Sequence, residues 1–153
     1  MPTQLSDHFS LEELIFSETA ARQGIDNTPS PGIVENLGRI AIKLEEVRSL
    51  LGGASIHVSS GYRSPELNSF IGGSRTSAHM KGLAADFIVP AFGSALDVAR
   101  AIAASGIVFD QLIHEYGTWV HIGLAAKGAA PRRQKLSIFK GTGYLNGILS
   151  MPA

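Results

Sequence analysis

The sequence predicts an α+β fold, an antiparallel sheet with helices packed on one side. Three observations carry this. A long amphipathic helix stands early in the chain, alternating segments gather in its second half, and two of those segments are joined at a single glycine as a hairpin. At 153 residues, the chain has the length of one domain, taken as 1–153. Charged residues are 17% and apolar ones 44%, enough to bury a core and too apolar for disorder.

Ser10-Leu11-Glu12-Glu13 has the form of a capping box and starts a short helix. A loop over 26–31 leads to Ser30, which caps a helix with Pro31 at its first position. Ile33, Leu37, Ile40, Leu44, Val47 and Leu51 then recur on one face until Gly52-Gly53. Ser55 to Ser59 alternates as a half-buried strand, and Pro65 to Phe70 forms a short helix ended by Gly72-Gly73. Leu83 to Val89 is a strand stopped by Pro90, and Ser94 to Ala104 has helical spacing. Phe109–Tyr116 and Thr118–Leu124 are the two hairpin strands, with a last strand over Lys135–Phe139.

Thirteen basic residues balance thirteen acidic ones, which argues against nucleic acid as a partner. With no cysteine there is neither a disulfide framework nor a thiolate metal site, so any metal must sit on His, Asp or Glu. No run of eighteen apolar residues occurs, so no membrane insertion is expected. The segment 1–16 lacks a basic leader and is interrupted by Asp7, Glu12 and Glu13, so synthesis in the cytoplasm without a signal peptide is expected.

Five histidines are present, and context separates them. His79 and Asp86 lie seven apart with Gly82 and small residues between, so a turn into a strand brings both to one point. On a strand, Trp119, His121 and Gly123 share a face while Val120 and Ile122 take the other, which makes His121 a third candidate ligand. Imidazole and carboxylate suit zinc. A capped turn at Asp86 and an ordinary strand histidine are the alternative, and spacing alone leaves both open.

The ordered elements Ser60-Gly61-Tyr62-Arg63-Ser64, Asn68, Gly72-Gly73, Ser77-x-His79-x-x-Gly82-x-Ala84-x-Asp86 and Trp119-Val120-His121 closely resemble the zinc D-alanyl-D-alanine carboxypeptidase family. That family includes endolysins that cut L-alanyl-D-glutamate bonds, and its fold is shared by the hedgehog domain. The resemblance is strongest over 55–123, with weaker support from His8-Phe9-Ser10 and the helix over 31–51. It implies one Zn2+ held by His79, Asp86 and His121, and Arg63 beside the metal holding a substrate carbonyl or carboxylate. A guanidinium fork is fitted to that task and to an oxyanion.

The general base departs from the family pattern. Many relatives carry Glu three residues before the last ligand, here Thr118, and others a His two before it, here Trp119. Glu115, six before, resembles the acidic residue of hedgehog-like members, and across a hairpin it approaches the metal. His114 points to the opposite face, and Asp110 lies further from the turn. Trp119 is expected to wall the cleft, with Ser77 bonding a ligand or orienting its loop, and Tyr62 packing beneath Arg63 or lining the substrate groove. His8 and His57 are taken as structural, and Arg132, Arg133 and Lys135 as a solvated basic cluster.

The resemblance thus implies a monomeric zinc peptidase acting on peptidoglycan stem peptides, of carboxypeptidase or endolysin type. Its place of action is the cell wall, after phage- or prophage-directed release. The rival expectation is a non-catalytic zinc domain with a binding or virion-structural role, favoured by the missing Glu and His before His121.

Overall fold

Serines set the helix starts. The structure, a computed structural model, describes residues 2–153. Five α-helices, α1 (Leu11–Ile15), α2 (Glu18–Gln23), α3 (Pro31–Leu50), α4 (Pro65–Phe70) and α5 (Ala95–Ala103), each follow a serine whose side chain accepts from the backbone N–H three residues on. Each hydroxyl satisfies one of the N–H groups that a helix start leaves unpaired. The helix α2 was not expected. Ser17 starts it, and Gly24 at φ 66° ends it in the left-handed region.

The strands are β1 (His57–Ser60), β2 (Ala84–Ile88), β3 (Gln111–Glu115), β4 (Trp119–Gly123), β5 (Gln134–Ile138) and β6 (Leu145–Asn146). They form one sheet in the order β1-β2-β4-β3-β5-β6. The β3–β4 hairpin forms as expected, turning through Tyr116 and Gly117, both at positive φ. β1 starts two residues later than the alternation suggests, with an irregular register between Val58 and Ser60. The two-residue β6 carries no alternation to read.

One ladder departs from the antiparallel expectation. β5 runs parallel to β3, pairing Gln134 with Gln111 and Ile138 with Glu115. The chain after β4 returns to the start of β3 before entering β5, where Arg133 N donates to Phe109 O and Gln134 N to Asp110 O. Arg133 itself is not solvated. Its fork donates to the carbonyls of Ala103, Ser105 and Ile107, and it stacks on the Phe109 ring at 4.7 Å. A cation thereby closes the end of α5, where the unpaired carbonyls concentrate negative charge.

Period two divides the sheet into two chemically different faces. Ala85 and Phe87 of β2, Leu112 of β3, and Val120 and Ile122 of β4 enter the hydrophobic core with Leu37, Ile40, Leu44 and Val47 of α3. α5 packs on β3 and β4, α1 on β1, and α3 on α1 and α5. The alternate residues Asp86, Glu115, Trp119 and His121 are left on the other face. Because α3 fills the core with fully buried side chains, Leu44→Ala is expected to cost about 2–5 kcal/mol of unfolding free energy, read by urea denaturation.

Candidate metal centre

A short 3-10 turn, Ala78–Lys81, delivers the first candidate ligand, His79. Ser77 caps it by accepting from His79 N at 3.2 Å, and Gly82 ends it at φ 68°. A Cβ at Gly82 would lie 2.9 Å from the Ile33 carbonyl oxygen of α3, so only glycine lets the turn sit this close before β2 begins. Asp86 of β2 pairs with His121 of β4 on one side and with Ser60 of β1 on the other, which sets Ser60, Asp86 and His121 in one row across the sheet.

The three side chains converge and are buried, His79 at 3%, Asp86 at 5% and His121 at 8% exposure. Asp86 Oδ1 lies 3.2 Å from His79 Nε2 and 2.9 Å from His121 Nδ1. The two imidazoles meet edge-on at 5.1 Å. Together they form a His-Asp-His group whose ligand atoms lie within 4.8 Å of one another.

The hydrogen bonds show that this group fits a cation. His79 Nδ1 lies 2.7 Å from the carbonyl oxygen of Gly61, which only accepts, so Nδ1 carries the proton. Burial lowers the pKa of His79, so its Nε2 presents a lone pair to the Asp86 oxygen. Burial works against the Asp86 charge too, yet the charge and hydrogen bonds of the surrounding imidazoles hold its carboxyl below the usual range. A divalent ion between rings and carboxylate would meet the lone pair and the negative charge together. His121 Nε2, buried without a partner, marks the same shortage. The Gly61 contact is the outer support that fixes a ligand's tautomer. A Cβ on Gly61 would fall 2.2 Å from the Leu14 carbonyl oxygen, so this residue too must be glycine.

Arg63 spans the second oxygen of the carboxylate. Its fork reaches Asp86 Oδ2 at 3.4 Å, Ser60 Oγ at 3.1 Å and Asn68 Oδ1 at 3.4 Å, and its backbone N donates to His79 O at 3.1 Å. These contacts engage three of the five guanidinium donors and leave two. Glu115 lies directly across β3 from Trp119, on the metal face, and Trp119 Nε1 donates to its Oε2 at 2.7 Å. Burial raises the Glu115 pKa and the Asp86 charge adds to it, while His121, the indole and Arg63 pull the other way.

A cleft of about 530 Å³ gathers Arg63, Ser77, Glu115 and Trp119 around the three ligands. Tyr62 is not among them. It is buried with the core, its N donating to Leu14 O, and it faces a separate cavity beside Phe16 and Val58. Adjacent residues of an extended segment point to opposite sides, so placing Arg63 at the metal turns Tyr62 away. His114 points to the opposite face, as expected, with Nδ1 bonded to Leu149 O at 2.9 Å. His57 is exposed, and His8 pairs with Glu45 of α3 at 2.7 Å. Asp110 is taken by Arg132 at 2.8 Å, at the cleft's far end. The Gly61 carbonyl escaped the sequence reading because a backbone oxygen has no residue signature.

The model of the peptidase M15 family matches residues 7–123, a span that holds all three ligands, Arg63 and Glu115. The chain belongs to the M15 peptidase family. No curated protein matches it. M15 peptidases depend on zinc, and the mixed sheet with its helices agrees with the hedgehog-like fold of that family. In this M15 peptidase, Asp86→Ala is expected to bring bound zinc to background by elemental analysis, while His57→Ala leaves it unchanged. The raised Glu115 pKa means that the folded state resists the charged carboxylate, so stability is lost as pH rises through that value. Metal-free Glu115→Gln should therefore melt a few degrees above the metal-free wild type at neutral pH, with the difference vanishing near about pH 4.

Proposed function

We propose that this M15 peptidase hydrolyses peptide bonds in peptidoglycan stem peptides, with one zinc ion held by His79, Asp86 and His121. The observation that carries the reading is Glu115, a half-buried carboxylate steered by an indole on the face that bears the ligands. A structural metal needs no such neighbour, since its site is closed by protein ligands, whereas three ligands leave a position for chemistry.

Zinc bound there supplies a Lewis acid that polarises a carbonyl and acidifies water. Glu115 takes the proton of the attacking water as its oxygen bonds to the carbonyl carbon. It then returns that proton to the amine nitrogen as the C–N bond breaks. Burial raises its pKa, which makes it a better proton acceptor than an exposed glutamate. Arg63, held by Ser60 and Asn68, keeps two donors for the substrate carbonyl or carboxylate, with a charge that no ordinary pH removes. Trp119 fixes the Glu115 carboxylate, and Ser77 lies at the cleft wall. Along β3 and β4 the cleft runs from Trp119 past His121 to Gln111 and Arg132. That length supports cleavage within a stem as well as at its end, at the cell wall where such stems occur.

Incubation of the zinc-loaded protein with purified peptidoglycan is expected to release new amino groups, lost on chelation and restored by zinc. Mass spectrometry of the muropeptides then names the bond cut. Glu115→Gln should keep its zinc and lose about 10²–10⁴-fold in turnover. Wall binding with zinc but no released amino groups would instead establish a non-catalytic zinc domain.

A further inference from the structure

The family match ends at residue 123, the last residue of β4, yet the cleft does not. Part of its wall comes from the chain beyond, which contributes Leu124, Arg132 and Tyr144. Arg132 is committed to Asp110 through a forked ion pair. Tyr144 is the aromatic residue this segment adds, and at 61% exposure it presents a large apolar ring beside a metal-binding cleft instead of burying it.

Strand register and the cleft lining give its position. Trp119 pairs with Glu115 across β4 and β3, and Glu115 with Ile138 across β3 and β5. β5 and β6 pair Leu136 with Asn146 and Ser137 with Leu145, and Tyr144 directly precedes β6, just outside the last pair of this ladder. Directly paired residues share a face, so Trp119, Glu115 and Ile138 form one row, and Tyr144 lines the same cleft as Trp119 and Glu115. The turn before β6 is fixed by Thr142, whose N donates to Phe139 O and whose Oγ1 accepts from Phe139 N, both at 3.0 Å. Tyr144 thus lies between a bonded turn and a strand, in the cleft that also holds Glu115 and Trp119.

We propose that Tyr144 is a substrate-contacting residue of this peptidase, its ring packing on the stem peptide and its hydroxyl donating a hydrogen bond to a peptide carbonyl beside Glu115. The inference rests on the substrate reading above. Burial and the charges of Glu115, Tyr116 and Asp86 push the phenol pKa up, which keeps the hydroxyl a donor wherever Glu115 is ionised. An aromatic ring with a polar tip suits a peptide, which offers apolar surface and unpaired carbonyls together. Since the residue lies outside the span matched by the family, it distinguishes this chain's cleft from one built of that span alone.

The test compares zinc-loaded wild type, Tyr144→Phe and Tyr144→Ala on solubilised disaccharide-pentapeptide muropeptides. Steady-state cleavage is paired with calorimetric binding in the turnover-deficient Glu115→Gln background. Tyr144→Phe is expected to raise KM and Kd about 5- to 10-fold, with kcat within about twofold and zinc content and melting temperature unchanged. Tyr144→Ala, which removes the ring too, is expected to weaken both by about 50-fold or more. Cleavage by the wild type with KM and Kd within about twofold in both variants overturns the role of Tyr144 alone. A fall in kcat with unchanged KM and Kd also overturns it, because that pattern belongs to a group acting only in the transition state. Wild-type protein that neither binds nor cleaves the muropeptides sinks the substrate reading, and this inference with it.

Discussion

A buried carboxylate faced by an imidazole lone pair is the constraint on which the metal face depends. The Gly61 carbonyl forces the proton of His79 onto Nδ1, and what remains toward Asp86 is a second acceptor. Left without a cation, such an arrangement sets a lone pair against a carboxylate oxygen at a largely buried site, where desolvation is costly. The surroundings maintain it: two glycines allow backbone to approach backbone, a serine caps the turn, and Arg63 steadies the outer oxygen. The fold therefore gathers three candidate ligands in a geometry that a cation would relieve, and a metal bound there would be linked to folding in that sense.

The sheet extends that logic. Two faces of one set of strands serve opposite ends, one packed with Phe87, Leu112 and Ile122 against helices, the other presenting Asp86, His121 and Glu115. The same alternation that buries Val120 and Ile122 fixes the direction of His121 between them. Core stability and ligand orientation are in this way one property, since a slip of one residue in β4 would exchange them.

How much of this was legible in the sequence depended on distance along the chain. His79 and Asp86 lie on one turn and the strand after it, and His121 follows from period two, so the His-Asp-His cluster could be read. Glu115 required the hairpin register, because a residue six positions before His121 is spatially next to the residue two before it. Opposite the departure at Trp119 there thus stands a carboxylate, held by the indole of Trp119 itself. Tyr62 was misplaced because neighbours of an extended segment diverge, and Arg133 because a cation's carbonyl partners come from other parts of the chain. The parallel pairing of β5 was not legible, since alternation identifies a strand and says nothing of its neighbour.

Trp119 is the single tryptophan of the chain, and its indole N–H is bonded to the carboxylate it orients. The charge state of Glu115 is therefore written into the near-ultraviolet absorption and emission of one chromophore. The protein carries a built-in optical indicator of the carboxylate proposed to move the proton, free of background from any second indole.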